Sequence, residues 1–196
     1  MNITLFGGSF NPPHLGHKIV LKQILTLKLI PHLDQIWLLP EYRHSFVKNL
    51  HLAPVRDRLA MTKALLNHKI KLQTCCIDRK MSGNTIEHIL YLNKTYPRHC
   101  FSFLIGSDNL PTFHLWPEYK KLLKLMTFYV YPRYGFPFRP LYLIMKPLAD
   151  PRQVITNISS TMIRNRLKQG LTVEHLLPLP VFRYLRRHQL YSLLIG

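Results

Sequence analysis

The sequence predicts one α/β domain of Rossmann-like type over residues 1–196, a parallel sheet with helices on both faces. Three observations predict it. Short apolar runs alternate with segments of helical periodicity, the order that builds βαβ units. Those runs lack in–out alternation, as strands buried on both faces do. A Gly/Pro loop, GGSFNPPHLGH over residues 7–17, separates the first apolar run from the first helix, where open parallel sheets bind ligands. The apolar fraction of 47% supports a core, and residues 155–196 read as the domain's C-terminal helical part.

The elements follow in order. Residues 2–6 (NITLF) form a buried strand, and Val20, Ile24 and Leu27 keep helical spacing over 16–30. Gln35–Leu39 is a strand closed by Pro40, and Arg56–Leu66 is helical. Ile70–Ile77 reads as a strand and Thr85–Leu92 as a helix. Cys100–Ile105 is a strongly apolar strand broken by Gly106. A helix over Trp116–Leu125 and a strand over Thr127–Tyr131 follow. Pro132–Pro140 is a loop, Leu141–Met145 a last strand, and Thr161–Gln169 a helix closed by Gly170.

Composition narrows the function. Lys and Arg number 27 against 9 Asp and Glu, a net charge of +18, which suits an anionic partner or reflects a generally basic proteome. Arg183, Arg186, Arg187 and His188 form the densest basic cluster, on one helical face. Cys75, Cys76 and Cys100 lack zinc-finger or redox spacing, which points to a reducing compartment. With no signal-peptide pattern and no apolar stretch near ~18–20 residues, a cytoplasmic protein without a membrane span is expected.

Three places carry phosphate or nucleotide chemistry. In the first loop, Gly7 and Gly8 allow close backbone approach. The helix opening at Gly16 offers free N–H groups and a positive dipole end. His14 and His17 stand beside that anion site and can donate to phosphate oxygens. A zinc site lacks a third ligand at suitable spacing, so no metal site is expected. In the second place, Ser159 or Ser160 caps a helix whose first turn carries Arg164, either a phosphate site or an ordinary cap with a solvated arginine. In the third, Asp108 in Gly106-Ser-Asp-Asn either takes ribose hydroxyls or caps a turn. Trp116 either stacks on a flat ring or packs in the core.

Together these segments resemble the nicotinate/nicotinamide mononucleotide adenylyltransferases of the HxGH nucleotidyltransferase superfamily. GGSFNPPHLGH is similar to that family's first motif and ISSTMIR to its second. SGNTIEHIL, GSDNLPTFHLW and LLPLPVFRYLRRHQLY stand in the expected order, so the resemblance covers nearly the whole chain. It implies transfer of AMP from ATP to nicotinate mononucleotide, giving deamido-NAD and pyrophosphate. It also implies Mg²⁺ accompanying ATP without a protein ligand cluster. By resemblance, His14, His17 and Arg164 are catalytic. ATP is held by Gly7, Gly8, Ser9, Phe10, His14, His17, Gly106, Asp108, Ser159, Ser160, Thr161 and Arg164. The acceptor meets Gly8, Ser9, Thr85 and Trp116.

The chain departs from the family pattern at Asn11, where many members have Asp, and in the loop Glu-Tyr-Arg-His-Ser-Phe after Pro40. Pro117 follows the stacking Trp, where nicotinate-preferring members use a backbone N–H on the pyridine carboxylate. Proline has none, so a weak preference for acid over amide is expected. Alternative acceptors are nicotinamide mononucleotide and phosphopantetheine. A reading of a different class is a basic single-stranded nucleic-acid-binding module, with Tyr131, Arg133, Tyr134, Phe136, Phe138 and Arg139 interleaving aromatic and basic groups.

Overall fold

A computed structural model describes residues 1–43 and 52–191. The loop residues 44–46 singled out above lie outside them. The strands are β1 (Asn2–Gly8), β2 (Gln35–Pro40), β3 (Ile70–Leu72), β4 (Cys100–Gly106), β5 (Thr127–Tyr131) and β6 (Met145–Pro147). They pair in parallel in the order β3-β2-β1-β4-β5-β6. The chain reverses its direction of winding between β1 and β4, the place where such sheets open a crevice. Register aligns Gly8 with Pro40 and Gly106 with Tyr131, so the strand ends meet at one rim.

Alternation along the strands builds the two faces. Ile3, Leu5, Trp37, Leu39, Phe103 and Ile105 face one core, against Ile86 and Ile89 of α4 (Thr85–Thr95). Ile36, Leu38 and Leu104 face the other, against Val20, Leu21 and Ile24 of α1 (Leu15–Thr26). A third cluster joins Met61 of α2 (Val55–Thr62) to Ile163 of α6 (Ser160–Lys168) and to Val181 and Leu185 of α7 (Leu179–Arg187). The C-terminal helices therefore pack on α2 and not on the sheet. Arg183, Arg186, Arg187 and His188 are exposed, as one basic face requires.

Several elements differ from the sequence expectation. The apolar run 70–77 divides into β3 and a helical turn, α3 (Cys75–Asp78), with Cys75 and Cys76 buried. Ile77 donates to the Thr74 carbonyl and Cys75 N–H to the Gln73 side chain, and so short a run does not distinguish strand from turn by periodicity. The last strand is Met145–Pro147, because pairing of Met145 with Phe128 sets the register and leaves Leu141 and Leu143 exposed. The helix expected from Trp116 begins at Tyr119 as α5 (Tyr119–Leu125), and Ser107–Leu115 form a 3₁₀ segment before it. Pro117 and the left-handed Glu118 separate the two. The first helix stops at Thr26, and the second changes to 3₁₀ after Thr62.

One buried cation ties the rim together. Arg58 of α2 is 1% exposed and donates to four backbone carbonyls among the described residues. Its Nε reaches Ala53 at 3.0 Å, and Nη1 reaches Ser9 at 2.9 Å and Glu41 at 2.8 Å. Its Nη2 reaches Tyr42 at 3.3 Å. Burial lowers its pKa, so the hydrogen bonds have to compensate the lost hydration. Arg58→Met keeps the volume and strands these carbonyls. It is expected to cost at least about 2 kcal/mol, read as a lowered urea midpoint with an unchanged slope.

Candidate functional site

The rim encloses two adjoining cavities. The smaller, about 180 Å³, is lined by Gly7, His14, His17, Asp108 and Arg133, with Tyr131 at its wall. The larger, about 400 Å³, is lined by Gly8, Thr85, His88, Trp116 and Pro117, with Phe103 below. Phe6, Gly7, Leu104, Ile105, Gly106, Asp108 and Asn109 belong to both, so β1 and β4 form the floor of one continuous cleft.

Local sequence explains the smaller cavity. The chain leaves β1 at Gly8, passes Phe10 in the left-handed region and a cis Asn11–Pro12 bond, and enters α1 with His14 as N-cap. The His14 backbone N–H donates to His17 Nδ1 at 3.2 Å, which assigns the His17 proton to Nε2. The two imidazoles lie 3.8 Å apart, centre to centre. Gly16 allows that approach: a Cβ there would stand 2.8 Å from His14 Nδ1 and 3.1 Å from the Ile158 carbonyl oxygen. Gly106 plays the same part opposite, since a Cβ would collide with the Asp108 carboxylate.

Electrostatics favour an anion. Burial first, then His17 and Arg133, hold the His14 pKa well below its ordinary value. Burial and Arg133 push His17 down to about 3. Both rings are therefore neutral donors at pH 7. His14 Nδ1 is buried with no hydrogen-bond partner in the free protein. Arg133 supplies the charge, 3.9 Å from Asp108 and bonded to the Ile158 carbonyl at 3.3 Å.

The residues expected from sequence divide into two groups. His14, His17, Gly7, Gly106 and Asp108 meet at the smaller cavity, and Gly8, Thr85 and Trp116 at the larger. Ser9, Phe10, Ser159, Ser160, Thr161 and Arg164 line neither. Phe10 is buried against Phe6 and His17, and Ser9 offers its carbonyl to Arg58. Ser159 is the N-cap of α6, accepting from Met162 N–H at 3.1 Å. Ser160 Oγ donates to the Pro12 carbonyl at 2.8 Å. Arg164 stands one turn into α6, beyond the first turn where the sequence put it, and donates to the Asn11 carbonyl at 2.8 Å and to Thr161 Oγ1 at 3.2 Å. In the free protein this second motif braces the first loop.

Sequence reasoning missed the site roles of Arg133, Arg58 and His88. A basic residue just past the end of the strand next to β4 was a usable signal for Arg133. Nothing local marks Arg58 or His88.

The chain is similar along nearly its whole length to proteins of one family. The cytidylyltransferase-like family model matches residues 5–166. A probable nicotinate-nucleotide adenylyltransferase of Halalkalibacterium halodurans is 33% identical, over 97% of this chain and 91% of its own. That of Flavobacterium johnsoniae is 32% identical over 98% of this chain and 100% of its own. Plasmodium falciparum nicotinic acid mononucleotide adenylyltransferase, solved in complex with NaAD, has the same fold, with TM-score 0.77 at 23% identity over 97% of both chains.

Two outcomes follow from this geometry. Gly16→Ala is expected to force His14 aside, lowering the melting temperature and weakening binding of an ATP analogue by calorimetry. The second concerns acid. In the folded chain His14, His17 and His88 (pushed down to about 4) resist protonation, whereas the unfolded chain takes protons near 6.5. The unfolded state therefore binds more protons below pH 6.5, and stability falls as pH drops from there toward 3–4. Urea midpoints measured between pH 7 and 4 are expected to decline, with a shallower slope in His17→Gln.

Proposed function

The chain belongs to the nicotinate-nucleotide adenylyltransferases of the cytidylyltransferase-like family, and we propose that it transfers AMP from ATP to nicotinate mononucleotide, releasing pyrophosphate and forming deamido-NAD. It is a nucleotidyltransferase of NAD biosynthesis. The observation that supports this best is the pair of cavities sharing one floor, with His14, His17 and Arg133 gathered around the smaller.

The chemistry needs no protein base. The acceptor's phosphate oxygen is already ionised and attacks the α-phosphorus of ATP in line. The bond to the β-phosphate oxygen breaks, and pyrophosphate leaves. The chain's task is positioning and charge stabilisation. His17 Nε2–H and His14 face the phosphates, and Arg133 offsets charge growing on the leaving group. Gly7 and Gly8 let the two phosphates approach each other over the floor. Asp108, at the rim of β4, takes ribose hydroxyls of ATP. Thr85 and Trp116 bound the pyridine side. Ser159, Ser160, Thr161 and Arg164 hold the loop and reach the triphosphate when it enters.

Mg²⁺ arrives with ATP in this reading. Among the described residues no group of three His, Cys, Asp or Glu side chains is placed to hold a metal. The donors at the smaller cavity are neutral imidazoles and an arginine, which suit phosphate oxygens. Bound with ATP, Mg²⁺ would supply charge neutralisation at the phosphates, while His14, His17 and Arg133 would hold the phosphate oxygens it leaves free. No helix among the described residues is long and apolar enough to cross a membrane. We place the enzyme in the cytoplasm, where the absence of a cysteine framework is at home.

Pyrophosphate release from ATP and Mg²⁺ is expected with nicotinate mononucleotide, and neither with phosphopantetheine nor in proportion to added single-stranded DNA. His17→Ala is expected to lower kcat by about 10²–10³, the scale of one lost oriented donor. A variant within twofold of wild type removes His17 from the mechanism.

A further inference from the structure

His88 is 3% exposed, lines the larger cavity, and among the described residues leaves Nε2 without a hydrogen-bond partner. A buried polar atom of this kind is stable only if something entering the cavity bonds it. His88 stands one turn after Thr85 on α4, so both project from the same helix face. That helix opens on the cavity, and its first-turn N–H groups have no acceptor within the helix.

The rest of the cavity offers few donors. The Trp116 backbone N–H donates to the Phe113 carbonyl at 3.0 Å, and Pro117 has no N–H. The wall here is Trp116 and Phe103, which suits a flat ring. An anionic substituent on that ring meets, at the start of α4, the Thr85 hydroxyl and the His88 imidazole.

We propose that His88 is the residue that reads the substituent on the acceptor's pyridine ring, its Nε2–H donating to the ring carboxylate where the Trp116–Pro117 backbone has no N–H to give. The inference rests on the adenylyl-transfer reading above. Burial keeps His88 neutral in the free protein, with Glu87 opposing only weakly. A carboxylate at Nε2 supplies the missing partner, whereas an amide presents its own donors as well as an acceptor and fits less well.

The test compares wild type, His88→Leu and His88→Gln with nicotinate mononucleotide and nicotinamide mononucleotide. Steady-state pyrophosphate release and calorimetric binding of each mononucleotide are both measured. His88→Leu is expected to raise KM and Kd for the acid by about tenfold or more. The KM for ATP should stay within about twofold, and the acid-to-amide ratio of kcat/KM should collapse. His88→Gln, which keeps an N–H in the same place, should recover part of the ratio. Equal losses with acid and amide, or an unchanged ratio, overturn the proposal and leave His88 a packing residue. Wild type that binds ATP but neither binds nor adenylylates either mononucleotide overturns the functional reading and this inference together. Wild type active on the acid with an unchanged ratio in His88→Leu overturns this inference alone.

Discussion

The structure depends on a loop that cannot hold its own shape. Residues 9–13 connect the end of β1 to α1 with buried Asn11, Pro12 and Pro13 and little internal hydrogen bonding. Their polar groups are satisfied from three distant parts of the chain. Arg58 takes the Ser9 carbonyl, Ser160 the Pro12 carbonyl, and Arg164 the Asn11 carbonyl. Asn11 Oδ1 accepts from Ala53 N–H and from Tyr191 OH, at 3.0 and 2.7 Å. Each bond is modest alone. Together they fix where His14 and His17 stand, so the histidines are placed by α2 and by the C-terminal helices as much as by α1. This explains why the third core cluster packs α6 and α7 onto α2.

The same constraint explains an unusual electrostatic arrangement. A chain with net charge +18 gathers cations around a phosphate site and gives them few carboxylates. Like charges at such range would repel if both imidazoles were protonated. Burial resolves this by keeping His14 and His17 neutral, leaving Arg133 as the fixed charge. Neutral donors aimed at one point stabilise developing charge without reorganising when it appears.

Local features of this site were legible in the sequence, and long-range ones were not. Gly16 and the two histidines lie within one helical turn, so spacing alone brings them together. A serine cap at 159 or 160 was legible for the same reason, and the structure gives it to Ser159. The parallel sheet was legible because strands buried on both faces read as continuous apolar runs. The run 70–77 was misread for that very reason, since an apolar stretch of that length fits a strand or a turn. Arg58 could not be assigned, because its role arises from carbonyls that folding brings near; Arg133 carried a usable signal, its place just past the strand beside β4, that went unread. His88 was passed over inside a segment that had been noticed for Thr85. Nothing in the sequence tells a buried imidazole facing a cavity from one packed in a core.

The two cavities divide the work. The smaller carries the charge needed by any adenylyl transfer, from groups held rigid by the braced loop. The larger, on the proposed reading, receives the acceptor against an apolar wall of Trp116 and Phe103. Such a wall discriminates weakly between rings of one shape, whereas a buried donor left unpaired by the wrong substituent discriminates strongly. Removing the backbone N–H at Pro117 therefore need not relax selectivity, provided a side chain supplies a donor in the same cavity. A backbone donor is fixed by the fold, but a side-chain donor can be changed by a single substitution. If His88 reads the ring substituent as proposed, the choice of acceptor is set by α4, and the 116–117 segment contributes the wall on which the ring lies.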